Sequence, residues 1–272
     1  MLFILFHIIA LTLYTLLSVY FINKLIKQQV WHTSYLITFT TIAVLSQGIG
    51  LYTGMVSQNG IDLSIHKILS LVVFSVNSLV LMSSLRKPLH SLLILLLPIS
   101  IIALTLSILF DVDNSIIDTS YANYSHLPTG IGLHILLSLV AYSLLLAAVL
   151  QALLVSWQND RLKSKQISGL VRHLPPLQTM EKLLFEFVWV GVALLTAGLI
   201  VGAFYIDNMF AQHLIHKTVL SAIAWLIFVI LLWGRVLRGW RGAYAIRWIL
   251  GGFSVLMLAY FGSKLVLEVI LV

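Results

Sequence analysis

The chain has 272 residues, 60% of them hydrophobic and 9% charged, and its mean hydropathy is +1.05. Soluble globular domains carry about 25% charged residues, so a soluble fold is excluded and a polytopic membrane protein is implied. There is no cysteine, which excludes disulfides, thiolate metal sites, iron–sulfur clusters and thiol–disulfide exchange by this chain.

Residues 2–22 form the first expected span. No positive segment precedes it and no small-residue cleavage site follows, so a removable signal peptide is not expected. The second span covers about 33–56 and ends at a turn, Ser57-Gln58-Asn59-Gly60. The third runs over about 62–85 and stops at Arg86-Lys87-Pro88; His66 and Lys67 lie near its start. The fourth covers about 89–110. A polar loop with Asp111, Asp113 and Asp118 follows, carrying His126 and an Asn123-Tyr124-Ser125 glycosylation sequon.

The fifth span, 130–157, is long enough to cross a bilayer, which takes about 20 apolar residues. It contains one ionisable side chain apart from tyrosine, His134. Ser138 and Tyr142 follow at four-residue steps on the same helix face. A basic loop, 158–179, closes at Pro175-Pro176. Thr179 is the expected N-cap of the sixth span, with Glu181 in its first turn. That span covers about 180–204, the seventh about 216–234 and the eighth about 246–271. Gly191, Gly198 and Gly202 place small residues on one face of the sixth, as close helix packing requires.

The expected fold is therefore all-α: one membrane helix bundle over 1–272, with eight transmembrane helices. The segments after spans one, three, five and seven, including the first residues of the spans that follow them, hold 13 of the 16 Lys and Arg. The positive-inside rule then places both termini outside. The net charge of +7 describes topology and contact with lipid headgroups, not nucleic acid. Trp31, Trp157, Trp233, Trp240 and Trp248 cluster near the same inner face, as an interfacial belt does.

Several side chains are candidates for chemistry. His134 is either a haem-iron ligand or proton relay, or a buried imidazole bonded between helices. His213 and His216 precede the seventh span on the same expected side. They are either wet interfacial histidines or the source of a second imidazole on the same iron. Lys217, Ser221 and Trp225 share one face; Lys217 either snorkels to the interface or pairs with an anionic group such as a propionate. Glu186, a turn inside the sixth span, either pairs with a basic residue of the inner loops or shuttles protons. No phosphate loop, HExxH helix, nucleophile elbow or catalytic carboxylate pair is present, so an enzyme is not expected.

The fifth span, LHILLSLVAYSLLLAAVLQALLVSWQNDRLK, resembles a helix of the cytochrome c assembly protein family. So do LPPLQTMEKLLFEFVWVGVALLTAGLIVGAFY, HKTVLSAIAWLIFVILLWGRVLRGWRG and LAYFGSKLVLE. The likeness covers about 128–271 and is strongest to the family's small eight-span, HemX-like and YpjD-like branch. It implies a multi-pass protein of a bacterial inner membrane that binds haem at the outer face. It also implies cytochrome c assembly or tetrapyrrole-pathway proteins as partners. His134 falls on a family haem ligand; Lys217 and Trp225 fall on family residues of the later helix, and Tyr142 shares the face of His134. The chain also departs from the family. FYIDNMFAQHLIHK lacks the family's tryptophans, Trp233 and Gln47 stand where histidines are common, and Phe261–Lys264 holds no histidine. These departures favour the alternative implied by the HemX-like branch, a regulatory or scaffold membrane protein without haem chemistry.

Overall fold

The computed structural model describes residues 2–27, 29, 32–57, 60–62, 64–84, 90–113, 129–165, 171, 174–205 and 215–262. Among the described residues, eight helices are long and apolar enough to cross a membrane: α1 (Leu2–Ile26), α2 (Thr33–Met55), α3 (Ile65–Ser84), α4 (Leu93–Asp113), α5 (Thr129–Lys163), α6 (Leu177–Tyr205), α7 (Ile215–Arg238) and α8 (Gly242–Met257). A 3-10 turn, His90–Leu92, leads into α4, and a π-helical turn, Leu258–Gly262, prolongs α8. The chemistry of the bilayer explains the choice. A backbone in hydrocarbon must satisfy its N–H and C=O groups internally, which a helix does. Large apolar side chains such as Leu16, Ile26, Phe204 and Leu237 stay exposed, as lipid-facing residues do.

The spans match the sequence-based expectation to within about six residues, except that the end expected for the eighth, near 271, lies outside the described residues, and there is one correction. Thr179 is not the N-cap of α6. The helix starts at Leu177 directly after Pro175-Pro176, and the amides of Thr179 and Met180 both donate to Pro176 O, at 2.9 and 3.1 Å. Proline is pre-shaped for a helix start, and it takes over that role here.

The helices pack as two units of four, α1–α4 and α5–α8. In the first, α1 packs on α2 and α4, and α3 packs on α2 and α4. Each helix contributes polar groups to a buried centre. Tyr14 Oη donates to Gln47 Oε1 (2.9 Å), and Gln47 Nε2 donates to the carbonyl and hydroxyl of Ser70 (3.0 and 3.1 Å). Asn77 Nδ2 donates to Ser100 Oγ (2.8 Å) and Tyr14 Oη (3.3 Å). All five side chains are fully buried.

A short hairpin joins α2 to α3, with β1 (Val56–Ser57) paired antiparallel to β2 (Gly60–Ile61). It flanks the expected turn, whose tip lies outside the described residues. Beyond it, Asp62 Oδ1 accepts from Ser64 N (2.9 Å) and Oδ2 from Lys67 Nζ (2.7 Å). Lys67 also donates to Gly54 O (2.9 Å) and lies over the Phe3 ring. Two stacked helix ends and a carboxylate thus bury a lysine that sequence reasoning passed over.

In the second unit the helices again close a ring, α5 on α6, α6 on α7, α7 on α8 and α8 on α5, with α5–α6 the most extensive pairing. The small-residue face of α6 meets α5. A Cβ on Gly191 would come within 2.9 Å of Leu145, and one on Gly198 within 3.2 Å of Ser138 Oγ. A side chain at either position would crowd the α5 side chains packed against this face, as small-residue helix packing predicts.

Candidate functional site

The site is best built from α5. His134 sits in its second turn, where α6 approaches through Gly198 and Gly202. A Cβ on Gly202 would lie 2.8 Å from both Cε1 and Nδ1 of His134, so the imidazole fills the groove that glycine leaves. His134 Nδ1 is 2.7 Å from Gly198 O. A carbonyl only accepts, so Nδ1 carries the proton. In the neutral ring the lone pair is then on Nε2. An imidazole anchored this way through one nitrogen has the form of a metal ligand held by an outer hydrogen bond. It is equally the bonded interhelical histidine that the sequence allowed, and both readings describe one geometry.

Two turns further along α5, Tyr142 Oη donates to Leu256 O of α8 at 2.5 Å. That carbonyl lies where the α-helical ladder of α8 gives way to the π turn. Single π turns inside α-helices recur at functional sites. Tyr260, within the π turn, stands edge-on to Tyr142 with ring centres 6.1 Å apart. Lys217 Nζ lies 5.8 Å from the centre of the Tyr260 ring, within cation–π range. Trp225 Nε1 donates to Thr196 Oγ1 of α6 (2.8 Å), and that hydroxyl donates to Val192 O (2.8 Å).

The sequence-predicted residues therefore fall into three places within this unit. His134 faces α6. Tyr142 and Lys217 converge on Tyr260 at the end of α8. Trp225 ties α7 to α6. The polar atoms of Tyr142 and Trp225 are engaged by protein, so each offers a ring face, not a hydrogen bond, to any ligand. His213 and the side chain of His216 lie outside the described residues, and so does His126. Sequence reasoning missed Tyr260 and Thr196. Thr196 was detectable as an isolated polar residue in apolar α6, and Tyr260 lay inside the resemblance segment LAYFGSKLVLE without being singled out.

A family model described as cytochrome C assembly protein matches residues 63–271. The chain belongs to the cytochrome c assembly protein family. The match begins well before the segment 128–271 that carried the resemblance. Inner membrane protein YpjD of Escherichia coli (strain K12) is 39% identical over 150 residues, 55% of this chain and 57% of that protein. An uncharacterized 28.8 kDa protein of Azospirillum brasilense is 35% identical over 143 residues, 52% of this chain and 53% of that protein. Cytochrome c biogenesis protein CcsA of Trichormus variabilis is 29% identical over 90 residues, 32% of this chain and 26% of that protein. The chain spans a little over half the length of the first two of these relatives and about a quarter of the third. No solved structure matches it. With eight helices among the described residues long and apolar enough to cross a membrane, and a relative named an inner membrane protein, this cytochrome c assembly family member is a multi-pass protein of the inner membrane.

Proposed function

We propose that this family member binds haem at the His134 end of its second unit, in support of cytochrome c biogenesis. The observation that carries the reading is the bond from His134 Nδ1 to Gly198 O. It orients the ring and leaves Nε2 as the nitrogen able to ligate iron. Haem, when bound, would supply the iron, and His134 Nε2 would hold it. Lys217 supplies a cation suited to a propionate, and Tyr260 and Trp225 supply ring faces suited to a flat macrocycle. The role is binding and positioning, with no enzymatic step. The CcsA relatives carry cytochrome c biogenesis in their name, which supports the same assignment.

The test is an absorbance spectrum of the full chain purified in detergent from haem-replete cells. A Soret band is expected, and His134→Ala should weaken it while His134 variants stay folded. A colourless wild type sinks the reading.

A second reading, a regulatory or scaffold membrane protein, is favoured by the tryptophan-free segment FYIDNMFAQHLIHK. It predicts that cytochrome assembly or tetrapyrrole-pathway proteins co-purify with the chain equally well from wild type and His134→Ala.

A further inference from the structure

The connection between α7 and α8 is tightly built. Gly239 takes φ +65°, and Trp240 N donates back to Gly234 O at 3.2 Å. This is the closure of a helix C-terminus through a left-handed glycine. Arg235 Nη1 donates to Trp240 O (3.0 Å), and its guanidinium lies 4.2 Å from the centre of the Phe185 ring. On the far side, Gly242 N donates to Glu181 Oε1 of α6 at 3.1 Å. The carboxylate assigned by sequence to the helix dipole thus anchors the start of α8. The Trp240 indole lies flat against Gly234, with no room for a Cβ between them. It also packs against Tyr244 and Trp248, with ring centres 4.6 and 5.5 Å away.

This fixed indole closes one end of a surface cleft of about 210 Å³. The cleft wall is apolar along α7 (Val229, Ile230, Trp233 and Leu237) and ends at Arg238. Ile230, Trp233 and Leu237 are exposed on the outer face of a membrane-crossing helix. Arg238, Arg241 and Arg247 are exposed around the connection, and Glu181, the acid that reaches it, is bonded to Gly242.

We propose that this cleft binds an anionic phospholipid of the surrounding leaflet. One stretch of acyl chain lies along Ile230, Trp233 and Leu237, and the headgroup phosphate meets Arg238, with Arg241 adding charge. The order of polarity along the cleft, apolar then cationic, matches the order along a lipid, at the depth where α7 leaves the hydrocarbon. A cluster of three arginines selects net negative headgroups, each cation near the surface changing binding about five-fold. The indole platform fixes the cleft's shape before any lipid arrives. This site is independent of the haem reading, which concerns the opposite end of the unit.

The test uses the full chain in detergent, titrated with phosphatidylglycerol or phosphatidylcholine carrying brominated acyl chains. Tryptophan quenching is read as wild type minus Trp233→Phe, so that the signal of Trp233, the exposed tryptophan of the cleft wall, is followed apart from Trp240. Quenching by phosphatidylglycerol is expected to half-saturate at a several-fold lower mole fraction. Arg238→Gln with Arg241→Gln should bring its curve to that of phosphatidylcholine, while Arg238→Lys keeps the preference. Equal quenching by both lipids in the wild type, or a preference that survives the double substitution, overturns the proposal. Should the double variant fail to fold, the melting temperature of wild type decides. A larger rise with phosphatidylglycerol than with phosphatidylcholine supports the site, and equal rises defeat it.

Discussion

His134 donates its Nδ1 proton to Gly198 O across the α5–α6 contact, and Gly202 leaves the ring just enough room to do so. Alanine at 202 would place a methyl 2.8 Å from the imidazole. The ring would relieve the clash only by turning away from Gly198. Gly202→Ala should cost about 1–3 kcal/mol in a detergent melt and lower haem affinity about tenfold or more, as loss of an orienting bond does. Gly191→Ala is the control. It crowds Leu145 as closely but touches no candidate ligand. It should destabilise without changing haem titration. Equal haem affinity in both variants would disconnect the groove from the ligand.

Tyr142 and Trp225 should separate by what their loss leaves behind. Tyr142→Phe strips the hydroxyl from Leu256 O, a carbonyl at the junction with the π turn. An acceptor left bare inside the bilayer costs about 1–2 kcal/mol. Trp225→Phe removes a donor from Thr196, whose hydroxyl keeps its bond to Val192 O. That loss should stay below about 1 kcal/mol. Thermal melts of the two variants in one detergent check the order.

The buried centre of the first unit predicts a counter-intuitive ranking. Tyr14→Phe orphans Gln47 Oε1 and one amide hydrogen of Asn77, which should cost about 2 kcal/mol. Asn77→Leu removes two bonds, but it also removes Asn77 Oδ1, which is buried without a hydrogen-bond partner among the described residues. Its net effect should be below about 1 kcal/mol, because deleting an unsatisfied polar atom offsets the lost bonds. A double-mutant cycle on the two melts measures the coupling. A larger loss for Asn77→Leu would refute this account of the network.

How much of this was readable from the residues depends on whether a signal is local. The eight spans were legible because about 20 apolar residues in a row permit little else. The glycine face of α6 was legible from its seven- and four-residue steps, and it does meet His134 and Ser138. The partners of polar groups were not. Nothing near Tyr14 in sequence points to Gln47 or Asn77, 33 and 63 residues away. The partner of Lys67 was not legible either, because its ion pair depends on the hairpin folding Asp62 back over Gly54. Thr179 was misplaced because a good capping residue stood three positions from a better helix start, Pro176. The role of Glu181 was hidden for a similar reason, since its acceptor function is used by the Gly242 amide, 61 residues on.

The Asp62–Lys67 pair makes stability depend on acid. Burial pushes the Asp62 carboxyl up, but the hydrogen bonds from Lys67 and Ser64, with the lysine's charge, outweigh it and hold the group below its ordinary value of 3.8. The unfolded chain therefore takes up this proton more readily than the folded one. The pair's stabilisation is fully present above the ordinary carboxylate range and fades as pH falls through it to the lower folded value. Melting temperature of the wild type should drop as pH is lowered from about 5 to 3, and Asp62→Asn should drop less steeply over the same interval. At pH 7 the variant should be less stable by about 2 kcal/mol, because Lys67, 7% exposed in its side chain, keeps its burial but loses its carboxylate. Parallel curves for wild type and Asp62→Asn would show that other carboxylates carry the acid sensitivity.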